Sequence, residues 1–335
     1  MKAVFLLFAL FFLQNPVLSQ VYPDTLIDYA LRSGINNILL QNYSGARNIF
    51  TKLDKDYPRL PLGKIYLAAV EIAKSYDYGE DYNEPFIDSL LILAKDQSMR
   101  LADYDDSNIW YKYFLGLSEG YLAYFKALNG EWLSSVSEGI NALKDFEDLT
   151  AMDRNFYEAF IAVGTFKYWK SRKTEIFSWI PGYNDEKDEG IDLLEESVKH
   201  ASYNTYLAVN SLIWIYIDQK KFIKASDLAN EVLKKYPGSR FFMWGQARAY
   251  EETDPEKAIM VYTGILNSLP GNLNHYNEIV LKHLIAQQYA KIGKNDKAIR
   301  ICNEILSIGN LNEDIQSKLK NRIKRVEELK RELSR

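Results

Sequence analysis

YLAVNSLIWIYIDQKKFIKASDLANEVLKKYP, residues 206–237, is followed by GSRFFMWGQARAYEETDPEKAIMVYTGILNSLP, residues 238–270, and by a third stretch that runs on to Ile305. Each reads as helix, turn, helix over roughly 34 residues. Landmarks recur at matching places: Tyr216, Tyr250 and Tyr289, then Ala225, Ala258 and Ala298. Pro237 and Pro270 close second helices, because the residue before a proline is pushed out of the helical region. One such unit cannot bury its own apolar face. Stacked neighbours can, so the period predicts an array with one continuous core.

The same pattern is present near the start. Ile27 to Pro58 places Ala30, Ser33, Gly34 and Asn37 on a first helix. A turn follows at Gln41-Asn42-Tyr43-Ser44, and a second helix carries Ala46, Phe50 and Leu53. Gly34 and Ala46 are small where two helices must cross closely, and Phe50 and Leu53 fill the gap to the next unit. On these residues the chain resembles the tetratricopeptide repeat superfamily, in the manner of its exported bacterial members. The resemblance implies an all-α solenoid: a right-handed superhelix of about seven helix pairs with a capping helix. It also implies a binding scaffold without catalysis or cofactor, in which the first helix of each pair lines a concave groove.

Between Pro61 and Tyr203 the period loosens and the helices lengthen. Leu62 to Tyr76 and Pro85 to Leu101 read as one pair, with Pro85 in a first turn. Trp110 to Leu128 carries a line of small residues, Gly116, Gly120, Ala123 and Ala127, flanked by Tyr111, Tyr113, Tyr121 and Tyr124. Glycine costs about 1 kcal/mol in a helix interior, so such a line predicts close packing. Trp132 to Phe146 is its partner, and Ala151 to Lys170 is the next first helix. Arg172 to Asp185 reads as an insertion inside one repeat, with Trp179 and Phe177 expected to tuck back against it. Asn312 to Arg335 reads as a single amphipathic helix that caps the array. The organisation expected is therefore a leader at 1–19 and one solenoid at 20–335. Its regular repeats are at about 27–60 and 206–311, with divergent repeats at 61–203, the insertion at 172–185 and the cap at 312–335.

The leader expectation comes from MKAVFLLFALFFLQNPVLSQ. Lys2 precedes an apolar run from Ala3 to Leu13, Pro16 breaks it, and Val17 and Ser19 suit cleavage after Ser19. Eleven apolar residues are too short to span a bilayer core of about 30 Å. Export to the periplasm or surface of a Gram-negative cell follows as the expected location. Cys302 is the sole cysteine, so no disulfide within the chain supports the fold. A net charge of −4 argues against a general nucleic-acid binder. The 24 tyrosines are a high number and suit packed helices rather than a disordered tail.

Catalytic patterns are weak. Gly116-Leu117-Ser118-Glu119-Gly120 matches a hydrolase elbow, but that motif needs a strand before its helix, and this one lies inside a helical run. His200, His275 and His283 are too scattered for a metal site or triad. Asp103, Asp105 and Asp106 lack the glycine and distal glutamate of a calcium loop. Asn42-Tyr43-Ser44 is a glycosylation sequon, relevant only in a eukaryotic source. Mapping the groove face of the family onto the regular repeats selects Tyr168, Trp169, Asn210, Trp214, Phe241, Trp244, Arg248, His283, Gln287 and Lys291 as candidate ligand-binding residues. Tryptophans beside amides and charges suit a protein or peptide partner. They also suit an envelope glycan stacked on the rings, and the same aromatics can serve as contacts between repeats. No metal ligand set, nucleic-acid site or transmembrane segment of the mature chain is expected.

Overall fold

The computed structural model describes residues 20–179, 184–201, 203–271, 275–309 and 311–335. The expected leader therefore lies outside the described residues, as does part of the insertion. The described residues form fifteen α-helices and no strand. They are α1 (Thr25–Leu39), α2 (Tyr43–Asp56), α3 (Leu62–Tyr78), α4 (Glu84–Tyr104), α5 (Ile109–Leu128), α6 (Trp132–Met152), α7 (Tyr157–Thr174), α8 (Lys187–His200), α9 (Thr205–Asp218), α10 (Phe222–Lys235), α11 (Arg240–Thr253), α12 (Pro255–Ser268), α13 (Tyr276–Lys291), α14 (Asn295–Leu306) and α15 (Glu313–Leu333). Seven consecutive pairs stack in chain order and α15 closes the end.

Local chemistry sets the boundaries. Asp24 accepts from the backbone N–H groups of Leu26 and Ile27, and Asn312 accepts from that of Ile315, so α1 and α15 begin with capped donors. Asn42, the sequon asparagine, caps α2 through Gly45 N–H. Five of the turns inside the pairs use left-handed backbone. Gly79, Gly130 and Gly293 supply it without strain, whereas Gln41 (φ 56°) and Lys220 (φ 57°) adopt it against the preference of their side chains.

Close helix crossings explain the small residues. A Cβ on Gly34 would lie 2.2 Å from the Phe50 ring, so the ring of α2 rests directly on the backbone of α1. At the α7–α8 crossing, Gly164 and Gly190 face one another, each blocked by the other's carbonyl oxygen. The Gly116 line of α5 receives the Phe146 ring of α6. Ser118 is buried in mid-helix, not on a strand-to-helix turn, and donates to Leu115 O. Cys302 is likewise buried, with its thiol pushed up by desolvation.

Three local expectations are corrected. α6 continues to Met152 and α7 starts at Tyr157, because Asp153 to Phe156 forms the turn. α7 extends to Thr174 and ends in a 3₁₀ turn at Glu175–Phe177. Trp179 does not tuck back: it is 77 % exposed.

The solenoid coils far enough for its early and late repeats to meet. The end of α3 meets the starts of α11 and α13. Arg240 donates to Asp77 through Nε at 2.7 Å and through Nη2, and the Tyr43 hydroxyl also donates to Asp77 at 2.9 Å. Asn277 donates to the Asp77 carbonyl at 2.9 Å, and Lys318 of α15 pairs with Asp81 at 2.6 Å. Both members of the Asp77–Arg240 pair are buried.

Candidate functional site

A second convergence lies deeper in the coil. Glu158, at the start of α7, is buried and accepts from the Tyr113 hydroxyl at 3.1 Å, Tyr203 N–H at 2.6 Å and the Asn204 side chain at 3.0 Å. Asn204 also donates to the Tyr113 and Tyr66 hydroxyls. The Tyr203 hydroxyl donates to Asp28 of α1 and accepts from Tyr22 N–H. Tyrosine suits this place because a long ring bridges distance while its hydroxyl ends on a polar partner. The composition excess thus has a structural use: tyrosines distant in sequence converge on one buried carboxylate and its neighbouring amide.

The interior is not filled throughout. Tyr76 of α3 and Tyr124 of α5 are 64 % and 49 % exposed, yet desolvation pushes both hydroxyls above their ordinary range. The two rings are neighbours across α3 and α5, since Tyr76 adds to the raised Tyr124 hydroxyl. The aromatic row continues. Tyr121 shares a hydrogen bond with Tyr206, and the Tyr206 ring meets Phe241 at 5.9 Å. Tyr276 of α13 approaches Gly79 and adds to the raised Tyr76 hydroxyl.

The residues selected from sequence divide into two groups. Trp214 (36 % exposed) and Phe241 (38 %) are accessible, as are Arg248, Gln287 and Lys291. Asn210 is half-buried, and its carbonyl oxygen finds no partner among the described residues. Trp169 is half-buried edge-on to Tyr168, and Trp244 is half-buried against Tyr262 at 5.9 Å. Tyr168 and His283 are corrections. Tyr168 is fully buried and donates to Asp218 at 2.7 Å. His283 is 2 % exposed and faces Arg322 of α15. Their helical register points inward in an open array, but here Tyr168 packs into the core formed with α8 and α9, and the cap covers His283.

Tyr76 and Tyr124 were not selected from sequence. The cluster of tyrosines around the Gly116 line was the available signal, and only the coiling shows which of them reach solvent. A separate polar cleft of about 650 Å³ lies at the base of the insertion, lined by residues including Arg172, Glu175, Lys187 and Asp218. Arg172 pairs with Asp218 and Glu175, and Lys187 with Glu175 and Asp185. These charges tie the insertion to α9. Among the described residues no group of three His, Cys, Asp or Glu side chains is placed to hold a metal ion.

No family model matches the chain, and no curated protein matches it. Solved structures do. Cut9 with Hcn1, an APC/C hetero-tetramer, superposes with a TM-score of 0.52 at 15 % identity, over 90 % of this chain and 48 % of that one. This chain thus spans about half the length of that protein. A tetratricopeptide protein of Thermus thermophilus gives 0.40 at 13 % identity, covering 71 % of this chain and 98 % of its own. One from Parabacteroides merdae gives 0.38 at 12 % identity, covering 93 % and 100 %. At such identities the first likeness bears on fold alone. Together with the seven stacked pairs and the cap, it establishes an all-α, tetratricopeptide-like solenoid.

Proposed function

We propose that the protein is a non-catalytic scaffold that holds an extended protein or peptide segment in its concave channel. The supporting observation is the set of accessible aromatic rings, Tyr76, Tyr124, Trp214 and Phe241, carried by first helices of the pairs. Aromatic anchors bury large area at small entropic cost, and the exposed Gln287 supplies hydrogen-bonding groups for a peptide backbone. Export by the N-terminal apolar segment and a role in envelope assembly complete the reading.

A glycan of the envelope is the second reading, favoured by the same accessible rings, which suit the apolar faces of sugars. The test is capture from an envelope extract alongside titration with envelope glycans, for the protein and its Trp214→Ala/Phe241→Ala variant. Capture of a protein that the variant loses, at unchanged helical circular dichroism, supports the peptide reading. Glycan titration that the variant abolishes replaces it. Unchanged capture by a folded variant overturns the channel as the site.

A further inference from the structure

The seam between α13 and α15 contains charge without its usual compensation. α15 docks through Ile315, Leu319 and Val326, which pack with Ile279 and Ala286 of α13 and Cys302 and Ile305 of α14. Arg322 falls within this apolar face, one turn after Leu319 and one before Val326, and is half-buried. Its Nη1 donates to His283 Nδ1 at 3.3 Å. Among the described residues no carboxylate lies within ion-pair distance of Arg322 or of Arg325, one turn further on. A partly desolvated guanidinium normally has an anionic partner, since burying charge unpaired is costly.

A second observation points the same way. Because Arg322 donates to Nδ1, the hydrogen of a neutral His283 ring resides on Nε2. That atom is buried and has no partner among the described residues. One donor of the seam, His283 Nε2, thus lacks an acceptor, and Arg322 has that imidazole in place of a carboxylate. The surroundings are also cationic. Burial, then Arg322 and Arg325, hold His283 down at about 4. The Tyr262 hydroxyl, given to Glu251, lies in the field of both Arg248 and Arg322. Glu251 itself is engaged by Arg248 and Tyr262. The terminal segment 312–335 carries eight basic and five acidic residues in a chain of net charge −4.

We propose that Arg322, seated by His283 and flanked by the exposed Arg325, anchors a side-chain carboxylate of an acidic partner segment. His283 holds one edge of the guanidinium, with the Tyr262 and Tyr276 hydroxyls nearby, and the remaining N–H groups, which make no hydrogen bond among the described residues, would receive the carboxylate. This rests on reading the channel as a peptide site, and it adds the chemistry of the peptide: Asp- or Glu-rich where it passes the cap.

The test uses the full chain and fluorescence anisotropy. The probe is a labelled Asp/Glu-rich peptide with acetylated and amidated ends. Comparison arms are an Asn/Gln peptide of equal length with blocked ends, the same neutral peptide with a free C-terminus, and an oligonucleotide of equal charge. The acidic peptide is expected to bind best, with affinity falling about tenfold in Arg322→Gln and severalfold in Arg325→Gln. Arg325 is exposed, so its variant keeps the question decidable if Arg322→Gln fails to fold. Equal binding of the blocked neutral peptide, preference for a free C-terminus or for the oligonucleotide, or indifference to both substitutions overturns the proposal. Partner capture that depends on Trp214 and Phe241 but not on Arg322 or Arg325 defeats this inference and leaves the scaffold reading standing.

Discussion

The early repeats, α1 to α8, and the regular repeats, α9 to α14, solve the same packing problem differently. The regular pairs α9 to α12 are 14 residues per helix, with small landmark residues at their crossings, and they leave Trp214 and Phe241 accessible. Helices α3 to α7 run 17 to 21 residues and send tyrosines into the interior. There Tyr66, Tyr113 and Tyr203 converge with Glu158 and Asn204. The regular half supplies a wall, and the divergent half decides how much of the space behind it remains open. A repeat solenoid need only contact its nearest neighbours, yet this one also joins α3 to α11 and α13, so its two halves are coupled.

Breaking that coupling should give the largest effect. Arg240→Ala leaves Asp77 buried without its cation and should lower stability by about 3–5 kcal/mol. Urea denaturation measures it, and a change below about 1 kcal/mol would mean that the halves do not support one another. Replacing both members, Asp77→Leu with Arg240→Met, should recover most of the loss, because the matched apolar pair leaves no orphaned charge. Next in size is Glu158→Gln. One of its acceptor oxygens becomes a donor facing Tyr203 N–H, Asn204 N–H or the Asn204 amide, at a cost of about 1–3 kcal/mol. The loss should appear as faster hydrogen exchange at the starts of α7 and α9.

Acid sharpens the comparison at the cap. His283 has a folded pKa of about 4 against an ordinary 6.5, through burial first and then Arg322 and Arg325. Above pH 6.5 both folded and unfolded forms are neutral and the group contributes no pH dependence. As pH falls from 6.5 to 4 the unfolded chain takes up the proton first, so the fold loses stability, by about 3 kcal/mol. Asp145 on α6 runs the other way. Burial and then Glu119 push it up to about 7, so it favours the fold as pH falls through the same window. The difference between the wild-type pH profile and that of His283→Gln isolates the imidazole, and identical profiles would refute its role. The smallest effect is a gain: Lys220→Gly relieves a left-handed side chain in the α9–α10 turn and should raise stability by about 0.5–1 kcal/mol in thermal melts.

Much of the fold was legible. Ala225 and Ala258 are buried at the spacing that the period implies, and Gly34 meets Phe50 where two helices were expected to cross. Trp214 and Phe241, selected by register, are accessible. Tyr168 and His283 were not placed correctly, because register says which way a side chain leaves its helix and nothing about what later covers it. Tyr76 and Tyr124 were missed for the converse reason: loose periodicity hid their register, and their exposure depends on repeats distant in sequence.

By itself the sequence determined the helices, their pairing and the capping of the last one, since these follow from apolar spacing, turn chemistry and small residues within about forty positions. Only the tertiary structure decided how tightly the array coils. Small rotations between successive pairs accumulate over the whole chain until Asp77 meets Arg240 and Asn277. That sum, which no local pattern encodes, closes one end of the interior with tyrosine and leaves aromatic rings accessible along the rest.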